Sequence, residues 1–477
     1  MNSRRFTAMD SSWPQPPPEQ QHVLDMTSLS STKVARSSSA APLCGKAGRS
    51  AREPRARQAM LDSSTHERVR WEKGPRRATV AARRFFRSAV NGARRWRGPF
   101  ALGPVSGCER LFGAWGREMN DVLLKDFRPT CLLKVPARVP QKARFPVIDA
   151  HNHLFGELEP ERLIEVMDAV GVRVWVNVTG NTTLPLENNT YTIARRPIDY
   201  FLEHYAARYP GRFAALTMAD FAQWDDPVLL KDEGFARRCI EHLEEDVAKG
   251  ARGLKVTKEL GLRFRDREGN MLRVDDERLF PIWRRAGELG IPVLIHVADP
   301  LAFFLPVDAQ NEHYLTLREF PGWSFAGSHF SAWELFEQRN RMIAAHPNTT
   351  FWLPHVANLP EDLAAVGELL DAHPNVMIDF SARIDELGRQ PYTARDFFIK
   401  HQDRIVFGLD MPVSVEAYRC YFRLLETRDE YFDYPDYIGR FGVYTRWRLY
   451  GLDLPDEVLE KVYYKNALRL LPGLRLE

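Results

Sequence analysis

Asp149-Ala-His151-Asn-His153 closes a short apolar run, Phe145-Pro-Val-Ile-Asp149, and its reading decides the fold. A β-strand alternates its side chains with a period of two, so His151 and His153 point to one side. Two imidazoles at i and i+2, ending a buried strand, form half of a metal site. An isolated H-x-H equally fits two polar residues closing a strand, so the other half has to come from elsewhere in the chain.

From residue 145 onward, short β-rich runs alternate with amphipathic stretches, as repeated βα units require. The runs are Phe145–His153, Val172–Thr179, Arg212–Asp220 and Gly253–Lys258, then Ile291–His296, Thr350–His355, Asn375–Phe380 and Arg404–Asp410. Helical stretches such as Phe235–Lys249, Asp276–Leu289 and Leu363–Ala372 lie between them, several ending at Gly or His-Pro. Eight such units over about 280 residues match the count and size of a (β/α)8 TIM barrel. A doubly wound sheet would have fewer strands and a Gly-rich first turn, where this chain carries His-Asn-His.

Composition sets the bounds. The 477 residues are 44% hydrophobic and 27% charged, as in a globular protein with a large core. No window approaches the uncharged apolar length of a membrane span. Five scattered cysteines, with no C-x-x-C pair, argue against a disulfide framework and fit a reducing, cytoplasmic setting. The net charge of +3 hides an asymmetry. Residues 1–120 hold 22 Lys+Arg against 9 Asp+Glu, while the remainder holds 44 against 54.

Residues 1–118, rich in Ser, Pro and Arg, show no lasting period and are expected to be a disordered basic extension. A basic arm, an organelle transit peptide and upstream translation ahead of Met119 are the competing readings of it. Nucleic acid is not an expected partner. Residues 119–144 read as a lead-in and 145–477 as the barrel. Two segments exceed what a barrel needs. Residues 299–333 are rich in aromatics and are either a lid over the mouth or a packed extra layer. Residues 428–450 form a second insert, before a last helix, Pro455–Leu471.

Functional side chains of a barrel come from the C-terminal ends of several strands. Reading those ends yields His151 and His153 on strand one, Lys255 on four, His296 on five, His355 on six and Asp410 on eight. Four imidazoles, a carboxylate and a lysine would converge on one mouth. Arg383, past strand seven, could grip a substrate carboxylate in a bidentate pair or form a salt bridge to Asp385 or Glu386.

The ordered set of D-x-H-x-H, strand-end histidines at five and six, Phe407-Gly-Leu-Asp410 and the closing Asn466–Leu471 helix resembles the amidohydrolase superfamily. More narrowly it resembles the amidohydrolase-related branch, which includes aminocarboxymuconate semialdehyde decarboxylase and γ-resorcylate decarboxylase. The resemblance covers roughly residues 145–472. It implies that His151, His153, His296 and Asp410 ligate one divalent metal, with zinc the first expectation and manganese the second. It also implies that His355 is the base or electrostatic partner, with Asp410 carrying the proton. Lys255 would be a carboxylated bridge between two metals in some relatives. In a one-metal site it would hydrogen-bond a substrate oxygen or a neighbouring carboxylate.

Leu409 and Met411, flanking Asp410, depart from the small or polar residues usual there. Val356-Ala-Asn358 follows His355 where a Gly is frequent. The leading expectation is a hydrolase of C–N or C–O bonds acting on a small molecule. The second is a non-oxidative decarboxylase of a small carboxylic acid, favoured by an anionic substrate on Arg383 together with the aromatic 299–333 loop. The third is an inactive barrel kept as a binding module. A homo-oligomer is compatible with all three.

Overall fold

The computed structural model describes residues 122–123, 130–156, 158–187, 190–223, 226–433 and 447–476. The 1–118 extension, and residues 434–446 of the second insert, therefore lie outside the described residues.

Among the described residues, eight parallel strands make the barrel: β1 (Val147–Asn152), β2 (Val172–Asn177), β3 (Phe213–Ala215), β4 (Leu254–Val256), β5 (Val293–Ile295), β6 (Phe351–Leu353), β7 (Val376–Asp379) and β8 (Ile405–Val406). They pair in sequence order, β1-β2-β3 and β4-β5-β6-β7-β8. A parallel bridge between Thr217 and Leu254 joins the two groups on one side. On the other side the Ala150 amide donates to Phe407 O at 3.0 Å and the Asp410 amide to His151 O at 2.8 Å, which closes the ring. All eight strands fall where the sequence puts them.

Between the strands run α1 (Pro160–Val170), α2 (Asp199–Phe201 continued by Leu202–Ala206), α3 (Phe235–Lys249), α4 (Phe280–Glu288), α5 (Ala332–Ala345), α6 (Leu363–Ala372), α7 (Pro391–Lys400) and α8 (Val415–Glu426). The chain closes with α9 (Asp456–Glu460, Lys461–Lys465 and Asn466–Leu470). Local sequence explains their ends. Ser331 and Glu334 form a reciprocal capping box that starts α5. Gly171, at φ +89°, takes the left-handed turn that stops α1. The buried residues of α3, Phe235, Cys239 and Leu243, recur every four residues and give that helix its inward stripe.

The core has two layers. Ile148, Ala150, Val174, Val176, Leu294 and Trp352 fill the barrel interior, and Ala467 and Leu470 of α9 pack against them. A larger cluster lies between strands and helices. Each fully buried Leu, Ile or Phe contributes about 1.5–3 kcal/mol, so the barrel does not depend on its polar mouth for stability. Asn466, first residue of the last segment of α9, ties it down by donating to Gln402 O and Ile405 O, both at 2.7 Å. No helix among the described residues is long and apolar enough to cross a membrane.

Candidate active site at the barrel mouth

The pairing register of β1 shifts between Asp149 and Asn152. Within that irregular stretch His151 lies in the interior beside Trp352, with ring centroids 6.0 Å apart. A bulge re-aims a side chain in this way. Gly408 makes room for it: a Cβ there would stand 2.7 Å from the His151 Cβ. The glycine of Phe407-Gly-Leu-Asp410 is thus explained by close approach of β1 and the end of β8. Asp149, fully buried, braces the same junction by accepting from the Leu409 amide at 3.0 Å and the Tyr418 hydroxyl at 2.6 Å. Burial pushes its pKa up to about 6 against the lowering effect of those hydrogen bonds.

Asp379, ending β7, is the hub beneath the histidines. It accepts from His151 Nδ1 at 2.9 Å, Trp352 Nε1 at 2.8 Å, the Ser381 hydroxyl at 2.6 Å and the His355 amide at 3.1 Å. These partners fix ring tautomers. His151 Nδ1 faces a carboxylate and carries the proton, leaving a lone pair on Nε2. His355 Nδ1 lies 2.8 Å from the Ser381 carbonyl, which can only accept, so its Nε2 is also a lone pair. His153 Nδ1 lies 3.0 Å from the Thr179 hydroxyl, which itself donates to Asn177 Oδ1 at 3.2 Å; the His153 Nε2 is then a lone pair as well. Burial holds His153 in the neutral form, with its pKa lowered to about 3, and lowers His355 well below the usual value.

Those lone pairs meet another acceptor. His153 Nε2 is 3.3 Å from Asp410 Oδ1, and His355 Nε2 is 3.4 Å from Asp410 Oδ2. His151, His355 and Asp410 offer ligand atoms that lie within 4.8 Å of one another. Acceptors facing one another in a buried site repel unless a cation lies among them. The His355 and His296 Nε2 atoms are buried with no hydrogen-bond partner from the chain. The donor set therefore fits a divalent ion.

Backbone strain marks the same place. His355, Val356, Ala357 and Asn358 run at φ +60°, +56°, +55° and +56°. A left-handed turn costs about 1–2 kcal/mol per non-glycine residue. Burial of all four offsets it, together with the Asn358 Nδ2 bond to Val297 O at 2.9 Å. Asp410 is also left-handed, at φ +45°.

Of the residues expected from sequence, His153, Lys255, His296, His355, Arg383 and Asp410 line one cavity of about 220 Å³, and His151 sits directly behind it. Lys255 Nζ lies 3.4 Å from His151 Nε2, and burial lowers its pKa to about 8. His296 stands against His355, ring centroids 4.6 Å apart, but turns Nε2 toward Asp299 Oδ1 at 3.4 Å. Arg383 stands across from Asp299. Its Nη2 approaches Asp299 Oδ1 at 3.5 Å, while Lys258 pairs with the other oxygen of that carboxylate. Leu409 packs into the core and stays off the cavity, whereas Met411 lines it.

Sequence reading missed Asp379, Asp299 and His313. Asp379 ends a strand, so the rule that found His296 and His355 could have found it too. Asp299 lies three residues past His296 on a turn no period reveals. His313 lies inside the 299–333 insert, which does face the cavity through Phe303, Thr316 and Trp323 as well.

Several solved structures are similar to this chain at low identity. The 2,6-dihydroxybenzoate decarboxylase from Rhizobium is 17% identical, covering 68% of this chain and 98% of that one at a TM-score of 0.41. A dihydroxybenzoic acid decarboxylase from Polaromonas sp. JS666, with bound manganese and 2-nitroresorcinol, is 16% identical, covering 68% and 96% at 0.41. An amidohydrolase from Burkholderia multivorans with bound zinc is 16% identical, covering 69% and 100% at 0.38. A search of the curated proteins found no match. The Amidohydrolase family model matches residues 148–473. That match begins in β1 and runs past α9, taking in the whole barrel, and on it the chain belongs to the amidohydrolase family.

Proposed function

We propose that the chain is a metal-dependent hydrolase that cleaves a C–N or C–O bond of a small molecule. The observation that carries this reading is the convergence of neutral imidazole lone pairs on the Asp410 carboxylate. His151, His153, His296 and Asp410 would hold one divalent ion, zinc or manganese. Such an ion supplies a Lewis acid and lowers the pKa of water toward about 7.

The chain's own residues do the rest. Asp379 and Thr179 hold His151 and His153 in the tautomer that presents Nε2. Asp410 takes a proton at its carboxylate. Burial raises its pKa, but nearby positive charge, Lys255 included, outweighs that and keeps it below the usual carboxylate value. His355 Nε2, 3.4 Å from Asp410 Oδ2, is placed to share that proton and to pass it to a leaving group. Lys255 Nζ is available to a substrate oxygen.

A decarboxylase would need an anion gripped by a cation, a role Lys255 Nζ is free to take, while Arg383 Nη2 faces Asp299. Hydrolysis is preferred here on the excess of carboxyl groups, five against three cations lining the cavity among the described residues. The test is turnover of amides, lactones and aromatic carboxylates in ¹⁸O-water by the zinc- or manganese-loaded chain. One ¹⁸O atom in the product and no CO₂ is expected. Release of CO₂ with no ¹⁸O incorporation would replace this reading by the decarboxylase.

A further inference from the structure

The cavity has a second polar wall that the hydrolytic machinery does not use. His313, from the insert after β5, meets Asp385 and Glu386, from the short helix Ile384–Arg389 after β7. Their side-chain polar atoms lie within 4.8 Å of one another and all three residues are buried. His313 is 5% exposed and Glu386 2%. His313 Nε2 is 3.5 Å from Glu386 Oε1, yet neither His313 Nε2 nor Glu386 Oε2 has a hydrogen-bond partner from the chain. The Arg383 Nε beside them is equally orphaned. All four residues line the cavity.

The orphans are concentrated there. Among the described residues, seven buried side-chain polar atoms without a hydrogen-bond partner belong to residues lining this one cavity, two of them on His296 and His355 of the metal wall. Leaving a buried donor or acceptor unmade costs about 1–3 kcal/mol each, so native chains leave few without a use. Their chemistry is mixed. Arg383 Nε can only donate. Thr257 Oγ1 and the His313 ring can donate or accept. Burial, then the Asp385 carboxylate and a hydrogen bond to it, raise the pKa of Glu386 well above the usual value; that proton is shared with Asp385, and the unpaired Oε2 is left to accept. An anion would satisfy the donors alone and a cation the acceptors alone. A hydroxyl group donates and accepts at one atom. Next to this wall, Phe303 and Trp323 stack at 23° with centroids 6.3 Å apart and line the cavity, offering flat apolar surface to a ring.

We propose that His313, Arg383, Asp385 and Glu386 form a recognition subsite for an uncharged, hydroxyl-rich ring, so that the substrate is a polyhydroxylated compound. This rests on the reading that the cavity is the substrate site, but not on the bond that is cleaved. Binding needs no turnover, so the two readings can fail separately.

The test is calorimetric titration of the purified full chain with three six-membered-ring probes: myo-inositol, cyclohexanecarboxylate and cyclohexylamine. Myo-inositol is expected to bind tightest. Glu386→Gln and His313→Gln should each weaken it about tenfold or more, with metal content unchanged. Tighter binding of either charged probe, or no binding of myo-inositol, would overturn the proposal. So would wild-type affinity in both variants, or loss of a metal equivalent in His313→Gln, which would make the wall a cation site. If a variant fails to fold, the ranking of the three probes on the wild-type chain still decides.

Discussion

Two walls of one cavity are polar in opposite ways. Around Asp410 the atoms that face one another are all acceptors, with their protons held on the far side by Asp379, Ser381 and Thr179. Around His313 and Glu386 the unpaired atoms mix donors and acceptors. The first arrangement is unfavourable without a cation. The second is unfavourable without a partner that both gives and takes hydrogen bonds. Burial alone does not distinguish the two; the direction in which each proton points does.

The strongest way to break this contrast is Asp410→Asn. The amide replaces one acceptor by a donor aimed at His153 or at His355, which face different oxygens of Asp410. Turnover should fall by at least the ~10²-fold typical of removing an acid–base group, and metal retention should weaken. Near-normal kcat in this variant would remove the proposed proton path. Next in size is Asp379→Asn, which touches neither substrate nor ion. It releases the tautomer lock on His151, and metal affinity should drop about 10–100-fold, measured by competition with a chelator. An unchanged affinity would mean that the hub only supports the fold. Smaller again is Arg383→Lys, which removes the Nε donor of the mixed wall but keeps the charge. Myo-inositol affinity should fall about tenfold while metal content stays at the wild-type level. Loss of metal instead would tie Arg383 to the other wall. The smallest effect expected is on stability. Gly408→Ala forces a Cβ against His151, and overpacking of this kind costs about 1–3 kcal/mol. Thermal unfolding should report it as a Tm lowered by a few degrees, and an unchanged Tm would show that the β1–β8 junction yields freely.

The barrel was legible because its signals are local. Each strand is a short apolar run with turn residues beside it, and helices Phe235–Lys249 and Leu363–Ala372 begin and end at the residues expected. Strand ends then pointed to His151, His153, His296, His355 and Asp410 as a convergent set, and all of them lie at or directly behind one cavity. What remained hidden is non-local. The Asp379 hub joins residues 228 positions apart in the chain, from His151 on β1 to Asp379 on β7, and no periodicity encodes that hydrogen bond. The mixed wall needs His313, deep in an aromatic insert, to meet Glu386 across the cavity. The left-handed run from His355 to Asn358 was visible only as a missing glycine, and its burial explains how the chain tolerates it.

The central claim is that the acceptors around Asp410 are built for one divalent ion held by His151 and not by His355. The direct measurement is metal content of the purified chain by plasma mass spectrometry, for the wild type, His151→Ala and His355→Asn. The account predicts about one equivalent in the wild type, its loss in His151→Ala and its retention in His355→Asn. A wild-type chain that takes up no divalent metal, or a His151→Ala variant that keeps it in full, would contradict the account.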